Sequence, residues 1–203
     1  FFVASVSAAG VNLITNGSFE NPDVKAGAWE VYGAVSGWST SGAGVEIRDS
    51  VAGTAYIGDQ FAELDSHGGM DTNSSIFQSV QTILGQSYLL SFAYSPRINK
   101  PIDTNGIEVF WNNESLASVS AKGESTHNWT VYEYIVTGTG TGTGTGSDVL
   151  QFSAIGADDT LGGSLDAISV SAVPIPAALF LFAPVLLGFI GLRRKSVLTP
   201  SRT

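Results

Sequence analysis

The chain has 203 residues, enough for one domain with appendages and too short for two full domains. All 18 Asp and Glu precede residue 167, whereas four of the nine Lys and Arg follow residue 192, so the body carries a net charge of −13; it is repelled by nucleic-acid phosphates and has no basic stripe with which to bind them. The chain contains no Cys, which excludes thiol catalysis, Cys-ligated zinc and stabilisation by disulfides.

The opening FFVASVSAAG reads as the end of an apolar signal segment followed by small residues. Val6 and Ala8 occupy the small-residue positions before a cut after Ala8 or Ala9. Residues 1–9 are therefore expected to be the remnant of a secretory signal peptide.

Between residues 11 and 172 the hydrophobic period is two, in short runs separated by Gly, Asn, Asp and Ser clusters, which predicts antiparallel strands. Nine are expected, near VNLIT, GVEIR, QFAELD, SIFQSVQTI, SYLLSFAYS, GIEVFWN, NWTVYEYIV, VLQFSAI and SLDAISV. SYLLSFAYS places Tyr88, Leu90, Phe92 and Tyr94 on one face, and GIEVFWN groups Ile107, Val109 and Trp111. DTNG at 103–106 reads as a turn. Thr137 to Gly146 is five Thr-Gly repeats, which offer no side-chain face to pack and lose much backbone entropy on ordering, so a flexible hairpin loop is expected there. The strand spacing predicts an all-β fold, a two-sheet antiparallel jelly-roll sandwich.

From Val173 to Leu192 there are twenty residues without a charge, long enough at about 1.5 Å per residue to cross a hydrocarbon core of about 30 Å. Arg193, Arg194 and Lys195 follow, and such a cluster stays cytoplasmic. A single C-terminal hydrophobic helix is therefore expected within a sorting or transmembrane segment at 173–195, followed by a short tail at 196–203. The body would be exported and anchored to the inner membrane with the domain outside, then displayed at the cell surface or in the extracellular matrix. The order VPIPA, apolar span, RRK resembles the PEP-CTERM sorting signals of Gram-negative bacteria in their VPLPA form. Val173, Pro174 and Pro176 match, and Ile175 departs from the commonest Glu or Leu. The resemblance implies recognition by exosortase, a membrane protease-transpeptidase found often in bacteria that make extracellular polysaccharide.

NLITNGSFENP, the GW at 37 and 38, QFAELDS, GQSYLLSFAYSPR, IEVFWNNE and LGGSLDAISV together resemble the galactose-binding-like jelly rolls of secreted bacterial proteins, many carbohydrate-binding modules among them. The resemblance implies a structural calcium joining the first and last strands, held at Glu20 and Asp166. Ca²⁺ takes six to eight oxygen ligands, so two carboxylates with backbone carbonyls suit it.

Sugar binding needs aromatic faces and planar polar groups. Trp38, Tyr94 and Trp111 are candidates to stack on a ring, and Glu63, Asp65, Arg97 and Asn112 to bond its hydroxyls, if their strands share a concave face. Alternation also allows Trp111 as a core residue, and Arg97 as an ion-pair partner of Glu63 or Asp65. Glu63 and Asp65, about 7 Å apart on a strand, have the residue types of a glycosidase dyad. Asp65-Ser66-His67 has triad types without a GxSxG elbow, and neither His67 nor His127 has zinc-ligand spacing. The expected function is a noncatalytic exported surface or matrix protein that binds an extracellular glycan. Two alternatives stand beside it: a structural or adhesive envelope protein with protein partners, and a glycoside-active enzyme.

Overall fold

The computed structural model describes residues 10–67, 72–140 and 146–174, and Ala9–Val173 form one compact unit. The signal remnant at 1–9, Pro176, Arg193, Arg194, Lys195, the expected C-terminal helix beyond Pro174 and the tail at 196–203 lie outside the described residues. Among the described residues no helix is long and apolar enough to cross a membrane.

Twelve strands are present among the described residues: β1 Trp29–Tyr32, β2 Ala34–Val35, β3 Trp38–Ser41, β4 Val45–Asp49, β5 Gln60–Glu63, β6 Ser75–Thr82, β7 Ser87–Ser95, β8 Ile107–Trp111, β9 Glu114–Val119, β10 Thr130–Thr137, β11 Gly146–Ala154 and β12 Ser164–Ala172. They form two six-stranded sheets, the first ordered β1-β4-β5-β12-β7-β10 and the second β2-β3-β6-β11-β8-β9. Neighbours are antiparallel throughout. This is the all-β, two-sheet antiparallel sandwich that the sequence predicts.

Alternation along β7 sends Tyr88, Leu90, Phe92 and Tyr94 into the space between the sheets, all 3% exposed or less. Phe92 is the hub. Its ring stacks on Tyr132 at 5.6 Å between centroids and on Tyr134 at 6.2 Å, and meets Phe152 of the opposite sheet edge-on at 5.1 Å.

The expected strand VNLIT is absent as a ladder strand. Leu13 donates its N–H to the Val170 carbonyl, but the Asn12 side-chain oxygen accepts from both Val170 N and Ile14 N at 3.0 Å. A side chain thus replaces the backbone carbonyl that a ladder would use. The glycine of the GW pair has a local reason: Gly37 sits at φ +81°, and a Cβ there would lie 2.8 Å from Thr15. Trp38 follows and donates its indole N–H to the Asn16 carbonyl at 3.1 Å.

Truncating the hub removes three aromatic contacts and leaves a cavity between well-packed sheets. Phe92→Ala is expected to cost about 3–5 kcal/mol in denaturant unfolding, whereas the outward-facing Ile135→Ala stays within about 0.5 kcal/mol.

Candidate functional site: a covered, charged face of the first sheet

On the first sheet the residues that alternate with the core point away from it. Register aligns Glu46 with Glu63, Glu63 with Ser164 and Ser164 with Ser95, and pairs Trp29 with Arg48 and Arg48 with Phe61 in the adjoining row. A sandwich usually gives this face to solvent. Here Glu46, Glu63, Ser95 and Ser164 are fully buried, and Arg48 is 2% exposed.

The charges neutralise one another. Arg48 bonds Glu46 through Nη2, and its Nε lies 3.1 Å from Glu63 Oε2. Arg97, projecting from the loop after β7, pairs through Nη1 with Glu63 Oε1, which also accepts the Gly162 N–H at 3.1 Å. His67 bonds Glu46 Oε1 through both its backbone N–H and Nδ1. Burial pushes the Glu63 carboxyl up to about 7, a rise that Arg48 and Arg97 oppose and Glu46 assists.

Aromatic rings border this polar floor. Trp29, 39% exposed, lies under the Arg48 guanidinium at 5.4 Å and 4.8 Å from the His67 ring. On the other side His127, Phe61, Trp129 and the half-exposed Tyr56 cluster, with centroids 4.8 to 6.2 Å apart. The 50–59 loop joins them, because the Thr54 carbonyl accepts from His127 Nδ1 at 2.8 Å and from Trp129 Nε1 at 2.9 Å. Gly53 permits the close approach: it has φ +139°, and a Cβ there would lie 2.2 Å from the His127 ring.

A carbonyl only accepts, so the Thr54 bond places the His127 proton on Nδ1 and leaves Nε2 bare in the neutral ring. Burial lowers the His127 pKa, the bond to Thr54 opposes this, and Arg97 and Arg48 assist it. Nε2 faces the Ser164 hydroxyl at 3.5 Å.

Of the expected sugar-contacting residues, Glu63 and Arg97 meet here, as an ion pair. Trp38, Tyr94 and Trp111 do not: they are 2%, 1% and 6% exposed between the sheets, so the stacking expected of them is corrected to core packing. Asp65 is buried, and its Oδ2 accepts the N–H groups of Asp159 and Leu161 at 3.0 Å, pinning that loop instead of pairing with Glu63. Asn112 sits at the far end of the sandwich, where it bonds Asp148 and Thr139. Glu46, Arg48, Trp29, Tyr56, Phe61, His67, His127, Trp129 and Ser164 were not among the expected site residues. For Glu46 and Arg48 the signal was present in GVEIR, where they alternate with the core residues Val45 and Ile47.

Glu20 and Asp166 converge on the same covering loop. Glu20 Oε1 accepts from Asp59 N and Gln60 N, both at 3.1 Å; Asp166 accepts from Tyr56 N at 2.8 Å, Ile57 N at 3.0 Å and Ala167 N at 2.6 Å. Burial raises the Asp166 pKa to about 6, with Glu20 adding repulsion. Two mutually repelling carboxylates suit a hard cation in charge and donor type. Among the described residues no group of three or more His, Cys, Asp or Glu is assembled for a metal, so the other ligands would be backbone or neutral oxygens.

No protein-family model matches the sequence, and no curated protein matches it. Among solved structures the fold is that of small two-sheet jelly rolls. One is a Stig cyclase, Fisc, from Fischerella sp. TAU in complex with (3Z)-3-(1-methyl-2-pyrrolidinylidene)-3H-indole, with TM-score 0.60 and 15% identity over 82% of this chain and 99% of that one. Another is TmCBM61 in complex with beta-1,4-galactotriose, with TM-score 0.50 and 18% identity over 80% and 99%. A family 16 carbohydrate-binding module gives TM-score 0.50 and 17% identity over 78% and 99%. The expectation that the chain is not an enzyme is corrected by the cyclase likeness: the fold it shares is found in an enzyme as well as in carbohydrate-binding modules.

The raised Glu63 pKa has a consequence for stability. An acid held at about 7 instead of 4.5 makes the folded state bind the extra proton, so its contribution is full below pH 4.5 and fades as pH rises through 7. Thermal melts should fall across that window, and Glu63→Gln should remove about one proton from the slope; an unchanged slope contradicts the assignment.

Proposed function

We propose that the domain binds carbohydrate on the covered face of the first sheet. The observation that carries this is the pairing of exposed rings, Trp29 and Tyr56, with a buried floor of guanidinium and carboxylate groups. Sugar rings stack on aromatic faces and bond planar polar groups, and Arg97, 12% exposed in its side chain, is the floor residue nearest solvent. The likeness in fold to carbohydrate-binding modules supports the reading.

A second reading attaches to the same site. Glu63, whose carboxyl burial raises to about 7, and His127, whose pKa burial lowers, are shifted in the directions that acid–base chemistry uses. The cyclase-like fold is consistent with this reading.

The body is exported. Val173 and Pro174, with Pro176 and the basic residues Arg193, Arg194 and Lys195, form a sorting signal for exosortase, the apolar segment anchors the chain at the inner membrane, and the domain reaches the cell surface or matrix. Glu20 and Asp166 would hold calcium, which would reinforce their grip on the 56–60 segment that carries Tyr56.

Glycan-array screening followed by calorimetry tests the site. Trp29→Ala and Tyr56→Ala are each expected to weaken binding about two- to tenfold, the worth of one aromatic contact, with Ile135→Ala unchanged. Equal affinity in all three variants, or no glycan bound at all, rejects the reading. If the second reading holds, Glu63→Gln abolishes turnover.

Calcium binding only the native state raises the melting temperature by linkage. The rise is expected at pH 7.5, smaller at pH 5 where Asp166 holds its proton, and absent in Asp166→Ala. A rise that persists in that variant places the ion elsewhere.

A further inference from the structure

Ile83 and Leu84 stand side by side at the tip of the β6–β7 turn, 56% and 59% exposed. The turn holds them there. Gln86 N–H bonds the Ile83 carbonyl at 3.1 Å, Gly85 N–H bonds the Gly138 carbonyl and Gly138 N–H the Gln86 carbonyl, both at 2.8 Å, and Ile83 N–H donates to the Tyr88 hydroxyl at 2.9 Å. Two branched aliphatic side chains are thus fixed outward on a rigid tip.

The same end of the sandwich releases the chain toward its apolar segment. Val173 donates its N–H to the Ser87 carbonyl at 2.9 Å, and its own carbonyl accepts from Gln86 Nε2 at 3.0 Å. The next nineteen residues, to Leu192, carry no charge.

Charge is sparse at this end in a strongly acidic body. Thr82–Ser87, Thr137–Gly140, Asn112 and Asn113 are all uncharged. Asp148 is buried there, bonded by Thr82, Asn112 and Thr139, and the exposed Glu114 stands at the rim. The opposite end holds Arg97, Lys100, Asp103, Glu124, Asp158 and Asp159 on its loops.

We propose that this end is a membrane-contact surface, with Ile83 and Leu84 seated at the boundary between headgroups and acyl chains, beside the point where the apolar segment leaves the domain. An interface of this kind accepts an apolar tip with a polar, uncharged collar, and anionic lipid repels the acidic remainder. The inference rests on reading residues 173–192 as a membrane span. It sets an orientation: β7 runs from Ser87 at this end to Ser95 beside the covered site, so at about 3.3 Å per residue the site stands roughly 26 Å further out.

The absence of Cys allows single-cysteine labelling of the full chain in vesicles of phosphatidylethanolamine and phosphatidylglycerol. A bimane label is placed in Ile83→Cys and Leu84→Cys, in Ile102→Cys and Ile155→Cys at the opposite end, and in Leu186→Cys within the apolar segment. Labels at 83, 84 and 186 are expected to shift blue and to be quenched by nitroxide-bearing lipid, while those at 102 and 155 remain water-like. Quenching at 186 with water-like labels at 83 and 84 overturns the proposal and leaves the span reading intact. A blue shift at 83 and 84 without lipid quenching reports burial against protein and also overturns it. An unquenched label at 186 removes the span reading, and the proposal with it.

Discussion

The ion cluster of Glu46, Arg48, Glu63 and Arg97 is the constraint around which the functional face is arranged. Removing charges from water is expensive, and mutual attraction offsets that cost only when the geometry is good and the remaining groups are hydrogen-bonded. Here each carboxylate has a guanidinium against it, and Gly162 and His67 contribute further donors. Loops must then stay closed over the cluster. The 50–59 segment does so by a grip at both ends, His127 and Trp129 on Thr54 and the Asp166 and Glu20 carboxylates on the amides of Tyr56 to Gln60. A change in the protonation of Asp166 therefore acts on the same segment that borders the site.

Alternation made the interior legible. Tyr88, Leu90, Phe92 and Tyr94, and Ile107, Val109 and Trp111, lie inward as the period of two requires. Four strands were hidden: WEVY, WSTS and the two-residue β2 are too short to show a period, and in ESLASV the apolar residues do not alternate cleanly. VNLIT shows the reverse error, an apolar run whose ladder role passes to the Asn12 side chain.

The site was only half legible, for a related reason. Glu63 and Arg97 could be joined on charge alone. Whether an aromatic residue in a strand faces core or ligand depends on which sheet covers it, so Trp38, Tyr94 and Trp111 could not be told from Trp29 by composition. Tyr56, His127 and Trp129 reach the site through loops whose path depends on Thr54 and Gly53, contacts separated by more than seventy residues in sequence.

The position of β12 has a mechanical consequence. It is an interior strand of the first sheet, flanked by β5 and β7, and the chain leaves from its C-terminal end while the covered site lies at its start. Tension between a tethered C-terminus and a ligand held at the site would run along the strand axes. The hydrogen bonds to β5 and β7 would then be loaded together in shear instead of opening one after another like a zipper, so the sheet would resist a pull along that axis more than one across it.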